Sequence, residues 1–190
     1  MTSITHTERE DYSTLWQSVP DYGTNSPAEM FLPAFFDMTG AKAGATVLDA
    51  GCGSGKGGVA LSASGFDVTL FDLTDDGLTE QARALPFLQG SVWHEAPSWR
   101  QYDYVLCCDV MEHLPTPFTM LAAHHLLSAS LHGVFFSISL VQDSYGMWLG
   151  RHLHQTVQSF VWWRDHLSEL GHVKECRDLH NVGLYWVTPR

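Results

Sequence analysis

Basic residues are scarce in this chain of 190 residues, which carries 10 Lys and Arg against 21 Asp and Glu and has a formal net charge of -11. Broad electrostatic binding to nucleic acid or to an anionic membrane surface requires basic patches. The composition therefore argues against both of these partners, although 11 histidines add positive charge at lower pH.

Long apolar runs and paired cysteines are also missing. No run is long enough to span a membrane, and the polar, acidic segment 1–11 lacks the apolar stretch of a signal peptide. The four cysteines include no C-x-x-C pair, which argues against a zinc site or a disulfide framework. We therefore expect a cytoplasmic protein with reduced thiols and no zinc site, and we assign no residue as a metal ligand.

Apolar runs alternate with helix-like stretches along the chain, as in a parallel α/β protein. The predicted strands are 46–50, 66–72, 87–92, 103–109 and 131–140. The predicted helices between and after them are 56–64, 116–128 and 159–170. Segments 173–179 and 182–188 predict a closing hairpin, which adds one antiparallel strand.

The N-terminal region predicts two helices before the first strand. Residues 8–17 predict a short one. Ser26, Pro27 and Glu29 form a strong helix start, with Ser26 as the cap and Pro27 at the first helical position. Gly40 suits the end of this second helix, whereas Pro33 inside it predicts a kink or an early break.

The segment 47–55, V-L-D-A-G-C-G-S-G, is the most informative part of the sequence. Its apolar start reads as a buried strand, and its three alternating glycines allow a tight turn that approaches a ligand closely. A helix that begins at Lys56 would direct free N–H groups toward that ligand. The segment therefore predicts a nucleotide-binding strand, loop and helix.

Two kinds of nucleotide cofactor compete for this loop. Residues 53–58 satisfy G-x-G-x-x-G, and Asp72 follows at a distance that fits a nicotinamide dinucleotide fingerprint. However, Asp49 lies just before the glycines, where its carboxylate would repel a pyrophosphate. That position suits a cationic head group, such as an amino acid with a sulfonium centre. Asp72 can accept hydrogen bonds from ribose hydroxyls with either cofactor.

Three segments resemble motifs of class I S-adenosylmethionine-dependent methyltransferases. Segment 47–55 is similar to their first motif and segment 71–73 to their acidic second motif. Segment 103–115, D-Y-V-L-C-C-D-V-M-E-H-L-P, is similar to the strand-four motif of small-molecule members such as ubiquinone-pathway O-methyltransferases. Short methyltransferases of phage and bacterial genomes are also similar. The resemblance implies a single Rossmann-like domain over 1–190, a three-layer sandwich around a mostly parallel seven-stranded sheet with one antiparallel strand near the C-terminus.

The resemblance also implies roles for individual residues in binding S-adenosylmethionine. Asp49 would lie near its ammonium group, Asp72 would hold the ribose and Tyr22 would cover the cofactor. Ser91 stands where many members place an aspartate for the adenine amine. The complete set of implied cofactor-binding residues is Tyr22, Asp49, Gly51, Cys52, Gly53, Gly55, Asp72, Leu73, Ser91, Val92, Trp93, Cys108, Asp109 and Val110. Residues 1–40 would form a helical lid, and 141–157 would lie on the substrate side.

Methyl transfer mainly needs alignment of the acceptor with the methyl group, and some acceptors also need a base. His113, His154 and Glu112 are the candidate catalytic residues, in that order, although a histidine is more often structural than catalytic. His152 and His154 with Asp143 form a weak metal-ligand pattern.

The acceptor expected from the sequence is a small molecule or a sugar-containing metabolite. The Asp/Asn-Pro-Pro-Tyr/Phe motif, with which amino-directed DNA methyltransferases receive a flipped base, does not follow strand four. The Pro-Cys pair of cytosine C5 chemistry is missing as well. An NAD(P)-dependent oxidoreductase and a non-catalytic S-adenosylmethionine-binding partner protein are the alternative interpretations.

Overall fold

The computed structural model describes residues 3–19, 21–94 and 101–190, without the side chains of residues 3–7. Its strands are β1 Thr46–Ala50, β2 Asp67–Asp72, β3 Phe87–Gln89, β4 Tyr102–Cys108, β5 Ser130–Ser139, β6 His172–Asp178 and β7 Val182–Thr188. Its α-helices are α1 Ser3–Ser18, α2 Pro27–Thr39, α3 Lys56–Ala63, α4 Thr116–Ser128 and α5 Phe160–Ser168. Three short 3-10 turns lie at Ala82–Ala84, Met111–His113 and Tyr145–Leu149.

The seven strands form one sheet in the order β3-β2-β1-β4-β5-β7-β6. Strands β3, β2, β1, β4 and β5 pair in parallel, whereas β7 runs antiparallel to both β5 and β6. The prediction of a mostly parallel seven-stranded sheet with one antiparallel strand near the C-terminus is therefore confirmed.

Helices cover both faces of the sheet. Neighbouring residues of a strand point to opposite faces, so each strand contributes side chains to both sides. Val47 and Leu106 pack with α2 and α3 on one side of the sheet, whereas Leu48 and Val105 pack with α4 and α5 on the other. Two apolar clusters result, and the sheet separates them. This arrangement is the three-layer sandwich that the sequence predicts.

Helix α2 differs from its prediction at Pro33. The Ser26 side chain accepts a hydrogen bond from the Glu29 N–H, and Gly40 ends the helix with a φ of 66°, as predicted. The expected early break is wrong, because the helix continues past Pro33 to Thr39. Phe35 and Met38 follow Pro33 and are buried. Their packing offsets the backbone hydrogen bond that a proline removes.

The edge strand β3 is shorter than predicted. It ends at Gln89, where the Gln89 side chain donates a hydrogen bond to the Leu73 carbonyl oxygen, and the Gly90 N–H donates to the Asp72 backbone carbonyl oxygen. Residues 91–93 leave the sheet and lie buried beside it. None of the helices within the described ranges has both the length and the apolar character of a membrane span.

Phe35 gives a direct test of how α2 is held on the sheet. Its ring is fully buried and makes edge contacts with Phe66, Tyr104 and Phe135. We expect Phe35→Ala to lower the free energy of unfolding by about 3–5 kcal/mol, because it removes a buried ring and leaves a cavity. Urea unfolding followed by circular dichroism measures this change.

Met30→Ala on the same helix is the control, because its side chain is 60% exposed. It should change the free energy of unfolding by less than about 0.5 kcal/mol. Equal losses in the two variants would show that α2 is not anchored through its buried face.

Candidate active site

A cavity of about 300 Å³ lies at the carboxyl ends of β1, β2 and β4. Residues that follow these strands form its floor, and residues of α1, the 22–28 segment and the 143–155 segment form its walls. Ligands of open parallel sheets bind at this edge. The topology therefore brings together segments that are far apart in the sequence.

The glycine loop turns sharply as it leaves β1. Gly51, Gly53 and Gly55 all have positive φ, at 74°, 53° and 71°. The N–H groups of Gly51 and Cys52 donate to the Phe71 carbonyl oxygen at 2.7 and 3.1 Å. A Cβ atom on Gly51 would collide with the Val110 side chain. Glycine at 51 is therefore required both by the backbone conformation and by the close approach of the strand-four segment.

Gly55 lies away from the cavity, although the resemblance implies that it binds the cofactor. It lies outside the described residues that line the cavity. A Cβ atom there would collide with Ala82 and crowd Leu78 and Leu70. Gly55 is thus a packing position at the start of α3, and the loop presents Gly51, Cys52 and Gly53 to the cavity.

Asp72 connects the end of β2 to the glycine loop. Its two carboxylate oxygens accept hydrogen bonds from the Gly53 N–H at 2.8 Å and the Leu73 N–H at 2.7 Å. Burial raises the pKa of Asp72, and these backbone donors oppose the rise. Each oxygen has a second lone pair, and the side chain lines the cavity. Asp72 can therefore accept further hydrogen bonds from a ligand.

Asp49 lies beneath the loop rather than in the cavity wall. It is 1% exposed, and its Oδ2 atom has no well-formed hydrogen bond among the described residues. Burial raises its pKa to about 7, although the Gly58 N–H lowers it and Asp72 adds to the rise. The resemblance implies that Asp49 lies near the ammonium group of the cofactor, and the structure places its side chain beneath the loop, outside the described lining of the cavity.

Two histidines also line the cavity. The His113 and His154 rings lie at 85° to each other with their centroids 4.6 Å apart. His113 Nδ1 is 2.7 Å from the Tyr12 hydroxyl, and His154 Nδ1 donates to the Val141 carbonyl oxygen at 2.6 Å. Burial lowers the pKa of His113 to about 4, with Asp109 opposing this effect. The His113 imidazole is therefore neutral at pH 7.

Asp109 faces the two histidines from the end of β4. It has a φ of 59°, a conformation that few residues other than glycine adopt and that aspartate tolerates better than most. One of its carboxylate oxygens and one nitrogen from each of His113 and His154 lie within 4.8 Å of one another. The sequence-based metal pattern of His152 and Asp143 is looser, since His152 Nδ1 is 4.0 Å from Asp143 and mostly exposed.

Glu112 is next to His113 in the sequence, but only His113 lines the cavity. The Glu112 side chain is fully buried, outside the described cavity wall, and accepts a hydrogen bond from the Ser139 N–H. Its own carbonyl oxygen accepts the N–H groups of Gln155 and Thr156. Burial raises the pKa of this carboxyl well above its usual range. Glu112 therefore ties the strand-four turn to β5 and to the 153–156 segment, and its geometry does not support a role as the acceptor's base.

The remaining predicted site residues lie along the cavity. Leu73, Ser91, Val92 and Trp93 line the side next to β2, and Trp93 stacks on Phe118 with centroids 4.4 Å apart. The predicted residues that line the cavity are Tyr22, Gly51, Cys52, Gly53, Asp72, Leu73, Ser91, Val92, Trp93, Cys108, Asp109, Val110, His113 and His154.

Helix α1 contributes two aromatic side chains to the cavity. Tyr12 and Trp16 of this helix line the cavity, and Trp16 packs against the glycine loop at Gly53 and against Gly23. Trp16 was not predicted at this site, and its i, i+4 spacing from Tyr12, which places both on one helix face, is the signal that could have identified it. Arg151 pairs with Asp11 of the same helix across the cavity mouth.

Lys56 connects α3 to the segment before α2, a contact that the sequence did not predict. Its Nζ atom donates to the carbonyl oxygens of Gly23 and Thr24 at 3.1 and 2.7 Å. The first residue of α3 therefore fixes the segment that carries Tyr22 beside the glycine loop.

Comparison with known proteins agrees with this geometry. The chain matches the methyltransferase domain over residues 27–182. It is similar to the ubiquinone biosynthesis O-methyltransferase of Vibrio vulnificus (strain YJ016), with 29% identity over 140 residues that cover 67% of this chain and 59% of the relative. The match thus spans less than two thirds of that relative's length.

Solved structures show the same fold at low identity. The 1,6-didemethyltoxoflavin-N1-methyltransferase of Burkholderia thailandensis, solved with its substrate and S-adenosylhomocysteine, is 17% identical with a TM-score of 0.72, covering 98% of this chain and 88% of that one. A TehB-like methyltransferase of Corynebacterium glutamicum is 18% identical with a TM-score of 0.66, covering 97% and 99%.

The sheet order and the cavity at its carboxyl edge define a class I S-adenosylmethionine-dependent methyltransferase. Within that class, the chain belongs to the methyltransferase-domain family.

Asp49 makes the stability of the fold depend on pH in a predictable direction. The folded protein retains its proton up to about pH 7, whereas the unfolded chain releases it near 3.8. Folding therefore binds a proton between these values, and this group makes stability fall as pH rises from 4 to 7. We expect Asp49→Asn to remove that fall, so that its Tm relative to wild type increases on the order of 5–10 °C across this range.

Differential scanning calorimetry at a series of pH values measures the effect. Asp67→Asn, the same substitution at the exposed start of β2, is the control and should keep a constant offset from wild type. Parallel Tm curves for Asp49→Asn and wild type would mean that Asp49 is ionised throughout.

Proposed function

We propose that this methyltransferase moves the methyl group of S-adenosylmethionine to an oxygen or nitrogen of a small molecule, with sugar-containing metabolites included in that class. The observation that carries the proposal is that Asp72 and the His113–His154 pair line one and the same cavity. The first suits a nucleoside and the second suits an acceptor.

The charge of the cavity supports a cationic cofactor. Glu8, Asp72, Asp109 and Asp143 line it, and Arg151 is the one lysine or arginine among its described lining residues. Like charges repel, so a nicotinamide dinucleotide would bring its pyrophosphate close to these carboxylates. A sulfonium cofactor carries positive charge at its amino-acid end. The cavity therefore favours S-adenosylmethionine over NAD(P).

The proposed cofactor contacts follow from where each side chain lies. Asp72 would accept hydrogen bonds from the ribose hydroxyls. The exposed backbone of the glycine loop and of Cys108 and Val110 would contact the methionine part. Leu73, Ser91, Val92 and Trp93 would enclose the adenine. Tyr22 would cover the cofactor from the segment that Lys56 holds, and Asp49 would support the loop from beneath.

When bound, S-adenosylmethionine supplies a methyl group on a positively charged sulfur, which leaves as a neutral thioether. The bond from the acceptor atom to the methyl carbon forms as the carbon–sulfur bond breaks, and the acceptor gives up one proton. His113, neutral at pH 7, and His154, whose neutral form has its lone pair on Nε2, are proposed to contact the acceptor and receive that proton. The enclosing residues of α1 align the reactants and limit access of water.

The names of two similar proteins indicate methyl transfer to oxygen in one and to nitrogen in the other. The Vibrio relative is named as an O-methyltransferase and the Burkholderia structure as an N1-methyltransferase. The proposal therefore includes both oxygen and nitrogen acceptors.

Binding of S-adenosylhomocysteine tests the cofactor side. We expect isothermal titration calorimetry to show one site, and Asp72→Asn to weaken it about 10- to 100-fold, because charged hydrogen bonds to the ribose are lost. Asp67→Asn is the matched control on the same strand and should bind as wild type does. An affinity unchanged by Asp72→Asn would place the ribose elsewhere.

Transfer of an isotopically labelled methyl group tests the acceptor side. Wild-type protein is incubated with labelled S-adenosylmethionine and panels of hydroxylated and aminated small molecules, with duplex DNA and RNA as parallel substrates. We expect label in small molecules, because the cavity is narrow and acidic. Label found only in nucleic acid would contradict the proposed acceptor class.

A further inference from the structure

Asp109, His113 and His154 form a compact set of ligand atoms in the cavity wall. One atom from each lies within 4.8 Å of the other two. A carboxylate with two imidazoles is a donor set that binds divalent metal ions of the first transition series, and three protein ligands leave coordination positions open. We call these three residues the D-H-H cluster.

Hydrogen bonds orient both imidazoles for this role. A carbonyl oxygen can only accept, so the contact from His154 to Val141 requires a proton on Nδ1 and leaves the lone pair on Nε2. The His113 Nδ1 contacts the Tyr12 hydroxyl, which can accept in the same way. Metal-binding histidines typically donate their other ring N–H to an oxygen of the protein. Both rings therefore have the partner that a ligating histidine has.

Asp109 is held in place by its backbone. Its N–H donates to the Ser137 carbonyl oxygen at 2.8 Å, and its positive φ turns the chain between β4 and the Met111–His113 turn. That turn brings His113 back to the same side as the Asp109 carboxylate. An unusual conformation of a residue other than glycine at a cavity is a sign of a functional constraint.

We propose that the D-H-H cluster binds one divalent transition-metal ion, with Mn²⁺, Fe²⁺, Co²⁺ and Zn²⁺ favoured over Mg²⁺ and Ca²⁺. Magnesium and calcium prefer oxygen ligands, whereas this site offers two nitrogens. The sequence assigned no metal ligands to this set, whose residues the fold brings together from two segments, 103–115 and 141–157.

The role of this metal ion in the reaction rests on the proposed function. An acceptor oxygen or nitrogen would occupy an open coordination position, in the part of the cavity proposed for the acceptor. In the metal-loaded protein the cation would supply Lewis-acid chemistry that favours loss of the acceptor's proton to water, and the two imidazoles, as its ligands, would no longer receive that proton. The cation would also neutralise part of the acidic charge of the cavity.

Direct metal binding tests the inference without reference to activity. Full-length protein is dialysed against a chelator and titrated with Mn²⁺, and free Mn²⁺ is followed by electron paramagnetic resonance. We expect one Mn²⁺ per chain, and Mg²⁺ should compete poorly. Asp109→Asn and His154→Ala should each weaken binding at least about 10-fold. Asparagine is chosen because it tolerates the positive φ of Asp109.

Two histidine variants serve as controls. His124→Ala changes an exposed residue of α4 and should bind Mn²⁺ as wild type does. His152→Ala tests the rival set of His152, His154 and Asp143 and should also leave binding unchanged. Loss in His152→Ala without loss in Asp109→Asn would overturn the D-H-H cluster, and so would an absence of Mn²⁺ binding to wild type.

Calorimetry with S-adenosylhomocysteine in the presence of chelator separates this inference from the proposed function. It also verifies that each variant is folded. Cofactor binding without Mn²⁺ binding would overturn the metal site and retain the methyltransferase. Mn²⁺ binding without cofactor binding would retain the site and contradict the proposed function.

Discussion

The attachment of the glycine loop to the end of β2 is the interaction on which the rest of the site depends. The Phe71 carbonyl oxygen accepts two N–H groups of the loop, and the Asp72 carboxylate accepts a third. These bonds turn the chain away from β1 and leave its backbone facing the cavity. The same loop begins α3, where Lys56 holds the segment with Tyr22. One turn thus sets the floor of the cavity and part of its cover.

Part of the molecule's acidic charge is concentrated at this site, where four carboxyl groups line the cavity. Asp49 is buried beneath the loop, where its raised pKa favours the protonated form below about pH 7. The carboxylates that face the cavity remain available to a cationic ligand. Groups of different chemistry line the cavity, since Asp72 offers acceptors for hydroxyl groups and the D-H-H cluster offers metal-ligand atoms. The proposal therefore assigns one orientation to the bound reactants.

The sheet could be predicted from the sequence because its strands are short apolar runs with clear ends. Glycines follow β1, and an acidic residue, Asp72, ends β2. The position of the glycine loop and of Asp72 at the cavity could be predicted for the same reason, since both are local motifs. The positions of Gly55 and Asp49 outside the cavity lining could not, because spacing does not show which face of a loop meets the cavity. The wall that α1 provides, through Tyr12 and Trp16, depends on contacts between distant segments. The meeting of His113 with His154 likewise depends on the fold.

The central claim is that one cavity binds the nucleoside at Asp72 and directs the reacting sulfur toward Asp109 and His113. A crystal structure of the complex with S-adenosylhomocysteine tests it most directly. The account predicts both ribose hydroxyls within hydrogen-bond distance of the Asp72 carboxylate and the sulfur on the side of His113 and His154. A nucleoside bound away from Asp72, or a sulfur that faces away from the two histidines, would contradict it.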